Sequence, residues 1–322
     1  MPLLDLSIEA LYEYEGRNPR PEGFDEFWDD SLRELESVPP RVELVRHELA
    51  APFAECFHLT FDGIDGARQY AKFLRPVNID APVACVLEFH GYTGNSGEWM
   101  GKLPFVARGQ AIASLDCRGQ GGRSEDRSRV TGNTHNGHII RGLEDALSGR
   151  PQALYYHQMF LDTVQLARAV SDMTEIDGER LGARGGSQGG ALTLACAALA
   201  PIKKAAAVYP FLCDYKRVWE MDLAQGAYAE LKSWFRSFDP LHEREDHVWN
   251  ALGYIDVQHL APRINADVLM AVGQLDSICP PSTQFAAFNK ISGSKRAVFY
   301  PDFGHEGLPG WSDTDFNFLA DL

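Results

Sequence analysis

The sequence predicts a mainly parallel α/β protein, a twisted sheet flanked by helices. Two observations carry this. Short, mostly apolar runs recur at 83–89, 111–116, 205–209, 268–272 and 297–300, as expected for strands covered on both faces. Segments of helical character fall between them, at 155–169 and after residue 190. Strands alternating with helices imply parallel neighbours joined by right-handed crossovers. The 322 residues suit one large domain. We expect it to span 1–322, with an N-terminal helical and hairpin extension (about 1–76) and a helical insertion (about 211–264).

The elements follow in order. FDEFWDDSLRELES places Phe24, Phe27, Trp28, Leu32 and Leu35 at helical spacing, and Pro39 and Pro40 end that helix. ECFHLTFDG and RQYAKFLRP alternate around GIDGA and read as an antiparallel hairpin. After the run at 111–116 comes a polar, Gly-rich loop from Arg118 to about Gly149. The stretch 211–264 breaks the strand rhythm and carries Trp219, Trp234 and Trp249, three of the six tryptophans. It reads as an insertion over the sheet edge, a lid or an interface, or as an ordinary helical layer.

Thirty basic against forty-five acidic side chains give a net charge of −15. Such a surface repels phosphate backbones and anionic lipid, which argues against nucleic-acid and membrane partners. The six cysteines form no CxxC and no zinc-spaced cluster. They read as reduced core thiols, which suits the cytoplasm. MPLLDLSIEALYEYEG has no basic n-region of a signal peptide, and the longest apolar run, 191–202, is too short to span a bilayer.

GARGGSQGGA, residues 182–191, holds five glycines in ten positions. It is no P-loop, because no Lys-Ser or Lys-Thr follows. Arg184 stands where a dinucleotide loop needs its first glycine. The pattern it does fit is GxSxG, Gly185 to Gly189 around Ser187. In this nucleophile elbow a strand turns sharply into a helix, and the neighbours must be small. The preceding RLGARG is poor in large apolar residues for a central strand, and Arg184 has no evident role there.

The partners of an α/β-hydrolase follow in the order Ser, acid, His. Asp276 lies in the loop after one strand, with Asp302 as a rival, and His305 lies in the loop after the next. Active sites of open α/β sheets form at such strand ends. His305 would take the Ser187 proton, and Asp276 would fix the imidazole tautomer. The oxyanion donors would be the backbone N–H groups of Gln188 and Tyr92, with Gly91 as the alternative to Tyr92. Arg118 and Gln120 read as braces for these loops. His90 reads as a brace or a core histidine, and His259 as capping or packing. His135 and His138 lack a third ligand and read as a polar loop.

Taken together, these residues resemble carbohydrate esterase family 7, the acetyl xylan esterases and cephalosporin C deacetylases. The carrying motifs are Arg118-Gly119-Gln120, Gly185-Gly186-Ser187-Gln188-Gly189, His305-Glu306, the PxxFDEFW-like stretch 21–28, HGYTG at 90–94 and CPPSTQFAAFN at 279–289. The resemblance spans nearly the whole chain. It implies the triad Ser187, Asp276 and His305, with Tyr92 and Gln188 as oxyanion donors. It implies hydrolysis of small acetyl esters, on xylo-oligosaccharides and on the antibiotic cephalosporin C, with no cofactor and no metal. It implies a homohexamer whose sites face an inner cavity. Other short-chain acyl transfer, peptide hydrolysis, or a non-catalytic binding protein on the same fold are the alternatives.

Overall fold

The computed structural model describes residues 4–131 and 137–322. Nine strands form one sheet: β1 Glu43–His47, β2 Ala54–Asp62, β3 Arg68–Pro76, β4 Val83–Phe89, β5 Ala111–Asp116, β6 Ile176–Gly186, β7 Lys204–Val208, β8 Asp267–Gly273 and β9 Lys295–Tyr300. Their order is β1-β2-β3-β5-β4-β6-β7-β8-β9. The pairs from β1 to β5 along that edge are antiparallel, and every pair from β5 to β9 is parallel. The hairpin forms as expected, with Asp62 opposite Arg68 across its turn.

The helices are α1 Ile8–Tyr12, α2 Phe24–Glu36, α3 Leu103–Ala107, α4 Leu143–Leu147, α5 Tyr155–Ser171, α6 Gln188–Leu199, α7 Tyr215–Glu220, α8 Ala229–Phe238, α9 Glu245–Gly253, α10 Val257–Leu260, α11 Pro281–Phe288 and α12 Trp311–Phe318. α2 buries Phe24, Trp28, Ser31 and Leu35, one stripe at helical spacing. Strand residues alternate between two cores. Leu87, Phe89, Ala113, Leu115, Ala183 and Ala207 face α5, α6 and the helices of 211–264. Val86, Ile112, Ala206, Leu269 and Ala271 face α3 and α12.

Three features depart from the sequence reading. The loop 118–149 contains α4, preceded by Gly142 at φ 87°, which turns Leu143 and Ala146 into the core. β1 has no alternation because, as an edge strand, four of its five residues are exposed. Arg184 is also explained. It lies on β6 beside Glu88 of β4 and bonds Glu88 at 2.6 Å and Asp315 of α12 at 2.7 Å. β6 is poor in large apolar side chains because an ion pair, not a packed aliphatic, ties it to α12. Between α7 and α10 no strand forms; Trp234, Phe235 and Trp249 are buried there as core.

Candidate active site

Ser187 sits where β6 meets α6, with φ 58° and ψ −119°. A non-glycine residue at positive φ is costly and must be held by its surroundings. Here its N–H donates to Val208 O at 2.9 Å, and its carbonyl accepts from Phe211 N at 3.0 Å. Close approach explains the flanking glycines. A methyl at Gly185 would come within 2.5 Å of Gly189 O, and one at Gly189 would overlap the carbonyl oxygen of Phe89.

His305, in the loop after β9, places Nε2 3.0 Å from Ser187 Oγ. Its Nδ1 lies 2.8 Å from Asp276 Oδ2. Asp276 is fully buried in the loop after β8. Its other oxygen accepts from the N–H groups of Ile278 and Cys279, both at 2.8 Å. With both of those donors on Oδ1, Oδ2 receives the imidazole Nδ1–H. That tautomer leaves Nε2 free to accept the serine proton. Asp302, the rival acid, is not the partner of His305. The Tyr209 ring packs 4.4 Å from the imidazole, and its hydroxyl donates to Glu306 O at 3.0 Å. Sequence reasoning missed Tyr209, which follows β7 with no motif to mark it.

Gln188 opens α6, so its N–H belongs to the first turn, where donors lack an intrahelical acceptor and the helix dipole favours negative charge. Tyr92 lies in the tight turn closed by Gly94 N to Gly91 O at 3.0 Å. Gln120 joins the two segments. Its Oε1 accepts from Thr93 N at 2.9 Å, and its amide pairs with that of Gln188 at 2.8 and 3.0 Å. Tyr156 OH adds a bond to Gln188 Oε1 at 2.9 Å. Arg118 is fully buried and forks onto both oxygens of Asp162 at 2.6 Å, with Gln158 as a third partner. Bidentate pairing of this kind fixes geometry, so Arg118 braces the loop and Gln120 carries the contact.

His90 accepts from Cys117 N at 2.9 Å through Nε2 and donates from Nδ1 to Gly91 O at 2.7 Å. Burial pushes its pKa down, which suits the neutral ring these two bonds require. His90 is therefore a brace of the turn after β4. His259 bonds Pro19 O and packs on Phe24. His138 bonds Tyr92 OH at 2.9 Å; His135 lies outside the described residues. Asp276, Cys279 and His305 bring ligand atoms within 4.8 Å of one another. They are a group that could hold a metal ion, but the facing Asp276 and His305 atoms are bonded to each other.

Fold and site together define an α/β-hydrolase. A family model of acetyl xylan esterases (AXE1) matches residues 1–322. The chain is similar to the crystal structure of acetyl xylan esterase 1 from Thermoanaerobacterium sp. JW/SL YS485. The identity is 50%, the TM-score 0.94, and 98% of this chain and 99% of that one are covered. It is similar to an acetyl xylan esterase from Paenibacillus sp. R4, at 34% identity and TM-score 0.93 over 98% of this chain and 100% of the other. It is also 24% identical to acetyl esterase Axe7A of Xylanibacter ruminicola, over 98% of this chain and 72% of that protein. The chain belongs to the acetyl xylan esterase family. It is a carboxylic ester hydrolase of the deacetylating kind.

Proposed function

We propose that this enzyme removes acetyl groups from small acetylated carbohydrates through an acetyl-Ser187 intermediate. One observation carries the reading: Ser187 Oγ, His305 and Asp276 form a continuous chain of hydrogen bonds at 3.0 and 2.8 Å on an elbow. Ser187 Oγ attacks the acetyl carbonyl as its proton passes to His305 Nε2. Asp276 stabilises the imidazolium. The Gln188 and Tyr92 N–H groups receive the developing oxyanion. His305 returns the proton to the leaving sugar alkoxide, then deprotonates water, which releases acetate and restores Ser187. Each oxyanion donor contributes about 3 kcal/mol to the transition state.

Xylo-oligosaccharides and cephalosporin C are the proposed substrates, a homohexamer the proposed assembly, and the cytoplasm the proposed location. Support for the first two is the family resemblance. Support for the last is that all six cysteines are free and buried. No helix among the described residues is long and apolar enough to cross a membrane. We further propose that residues 1–322 act as one domain. A short acyl pocket is proposed beside Tyr92 and Phe211, whose rings lie 6.1 Å apart.

The test is hydrolysis of a chromogenic acetyl ester and its octanoyl analogue by wild type and Ser187→Ala. Strong preference for acetyl, with turnover lost in the variant, is the expected result. Equal turnover of both esters would remove the short pocket. An active Ser187→Ala would remove the elbow as the nucleophile site, and a folded wild type inert to both esters would reopen the binding-protein reading.

A further inference from the structure

The oxyanion loop after β4 is tied to the helical segment 211–264 by a carboxylate. Glu230, in the first turn of α8, accepts a hydrogen bond from the Tyr92 hydroxyl through Oε1. Its other oxygen, Oε2, accepts from Ile139 N at 2.8 Å and Ile140 N at 3.4 Å. His138 Nδ1 meets the same Tyr92 oxygen at 2.9 Å. Three segments far apart in sequence thus meet at one side chain: the turn carrying Tyr92, the chain at 138–140, and α8. A fourth contact comes from Phe211, whose ring faces Tyr92 and packs 4.5 Å from Tyr228 at the foot of α8.

From this geometry we propose that Glu230 is a positioning residue for the oxyanion hole. It acts through the Tyr92 phenol to hold the Tyr92 backbone N–H where the acetyl oxyanion forms. This rests on the assignment of Tyr92 N–H as a donor. Gln120 holds Thr93 N, and His90 holds Gly91 O. The phenol–carboxylate bond holds the Tyr92 side chain itself. An oxyanion donor must sit within a few tenths of an ångström of its place, and a misplacement of about 1 Å costs roughly a hundredfold in rate. The segment 211–264 then completes the site as a scaffold, through a residue that never touches substrate.

Two variants separate this from simple folding support. Tyr92→Phe keeps the ring and leaves Glu230 its backbone donors from 138–140. Glu230→Gln keeps the shape, but its NH₂ must oppose either the Tyr92 hydroxyl proton or the Ile139 N–H. Measured with a chromogenic acetyl ester, each should lose roughly 10- to 100-fold in kcat with KM held within about twofold, and Tyr92→Phe should leave the thermal midpoint little changed. The double variant should be no slower than the slower single one, since both cut one link. Retention of kcat by Tyr92→Phe overturns the proposal, as do losses that fall on KM or multiply in the double variant. If Glu230→Gln fails to fold, Tyr92→Phe alone decides. Ser187→Ala is assayed alongside: its activity would remove the catalytic reading itself, whereas an inert Ser187→Ala beside unimpaired Tyr92→Phe removes only the role of Glu230.

Discussion

At the scale of single residues, the charged groups divide by what their loss leaves behind. Asp276→Asn should keep its shape, because the Asn Oδ1 can still accept from Ile278 N and Cys279 N. Its NH₂ would then face His305 Nδ1, favour the opposite tautomer, and put a proton where Nε2 must accept one. We expect kcat to fall by about 10⁴ with unchanged circular dichroism; a loss under tenfold in steady-state kinetics would count against Asp276 as the orienting acid. Arg184→Met should do the reverse. It strands Asp315, 3% exposed, and leaves Glu88 only Lys102 at 3.1 Å as a salt-bridge partner. Arg184 and Glu88 are each about a fifth exposed, so breaking this network costs about 1–3 kcal/mol. Urea unfolding should report that loss while kcat stays near wild type. A variant as stable as wild type would mean that the α12 contact carries little.

At the scale of elements, the elbow is the point where strand and helix approach most closely. Gly189→Ala must push α6 off β4, because the new methyl overlaps Phe89 O. Backbone cannot yield as a side-chain tip can, so we expect more than roughly 3 kcal/mol of destabilisation and loss of turnover. Thermal unfolding and an acetyl-ester assay check both, and a stable, active variant would show that the elbow relaxes. This closeness is also why the elbow was legible in the sequence. The glycines, the serine between them and the small-residue helix after it are a local pattern. The loops holding Asp276 and His305 were legible for the same reason, each following a short apolar run. Arg184 and Glu230 were not. Their partners lie 131 and 138 residues away, and a lone Arg in a strand or a Glu on an amphipathic helix looks like any solvent-facing charge. β1 was hidden because four of its five residues are exposed, so no alternation marks it. Helix α4 was hidden because five residues give too short a window for periodicity.

At the scale of the whole molecule, the N-terminal segment is fastened to the rest through two buried acids. Asp214 accepts from Arg17 N, Asn18 N and Tyr14 OH at 2.7 to 3.0 Å. Its own N–H donates to Asp256 Oδ1 at 3.0 Å, which also accepts from Gln258 N at 3.1 Å. Lys290 lies one link away, on Gln258 Oε1 at 2.6 Å. Asp256 is fully buried. Burial first, and the neighbouring Asp214 second, raise its pKa to about 7. The direction of the linkage follows. Unfolded, this carboxyl ionises near 4; folded, it holds its proton until about pH 7. Its favourable contribution is complete below pH 4, falls as pH rises from 4 to 7, and is gone above 7. Three pKa units amount to on the order of 4 kcal/mol at most. Asn at 256 cannot ionise and keeps the Oδ1 acceptor, but its NH₂ replaces the Oδ2 that accepts from Gln258 Nε2 at 3.0 Å. Asp256→Asn should therefore melt below wild type at pH 5, with the gap closing by several degrees toward pH 8. A difference between the two proteins that stays constant from pH 5 to pH 8 would mean that Asp256 does not change its ionisation over that range, and that its titration plays no part in holding the N-terminal segment.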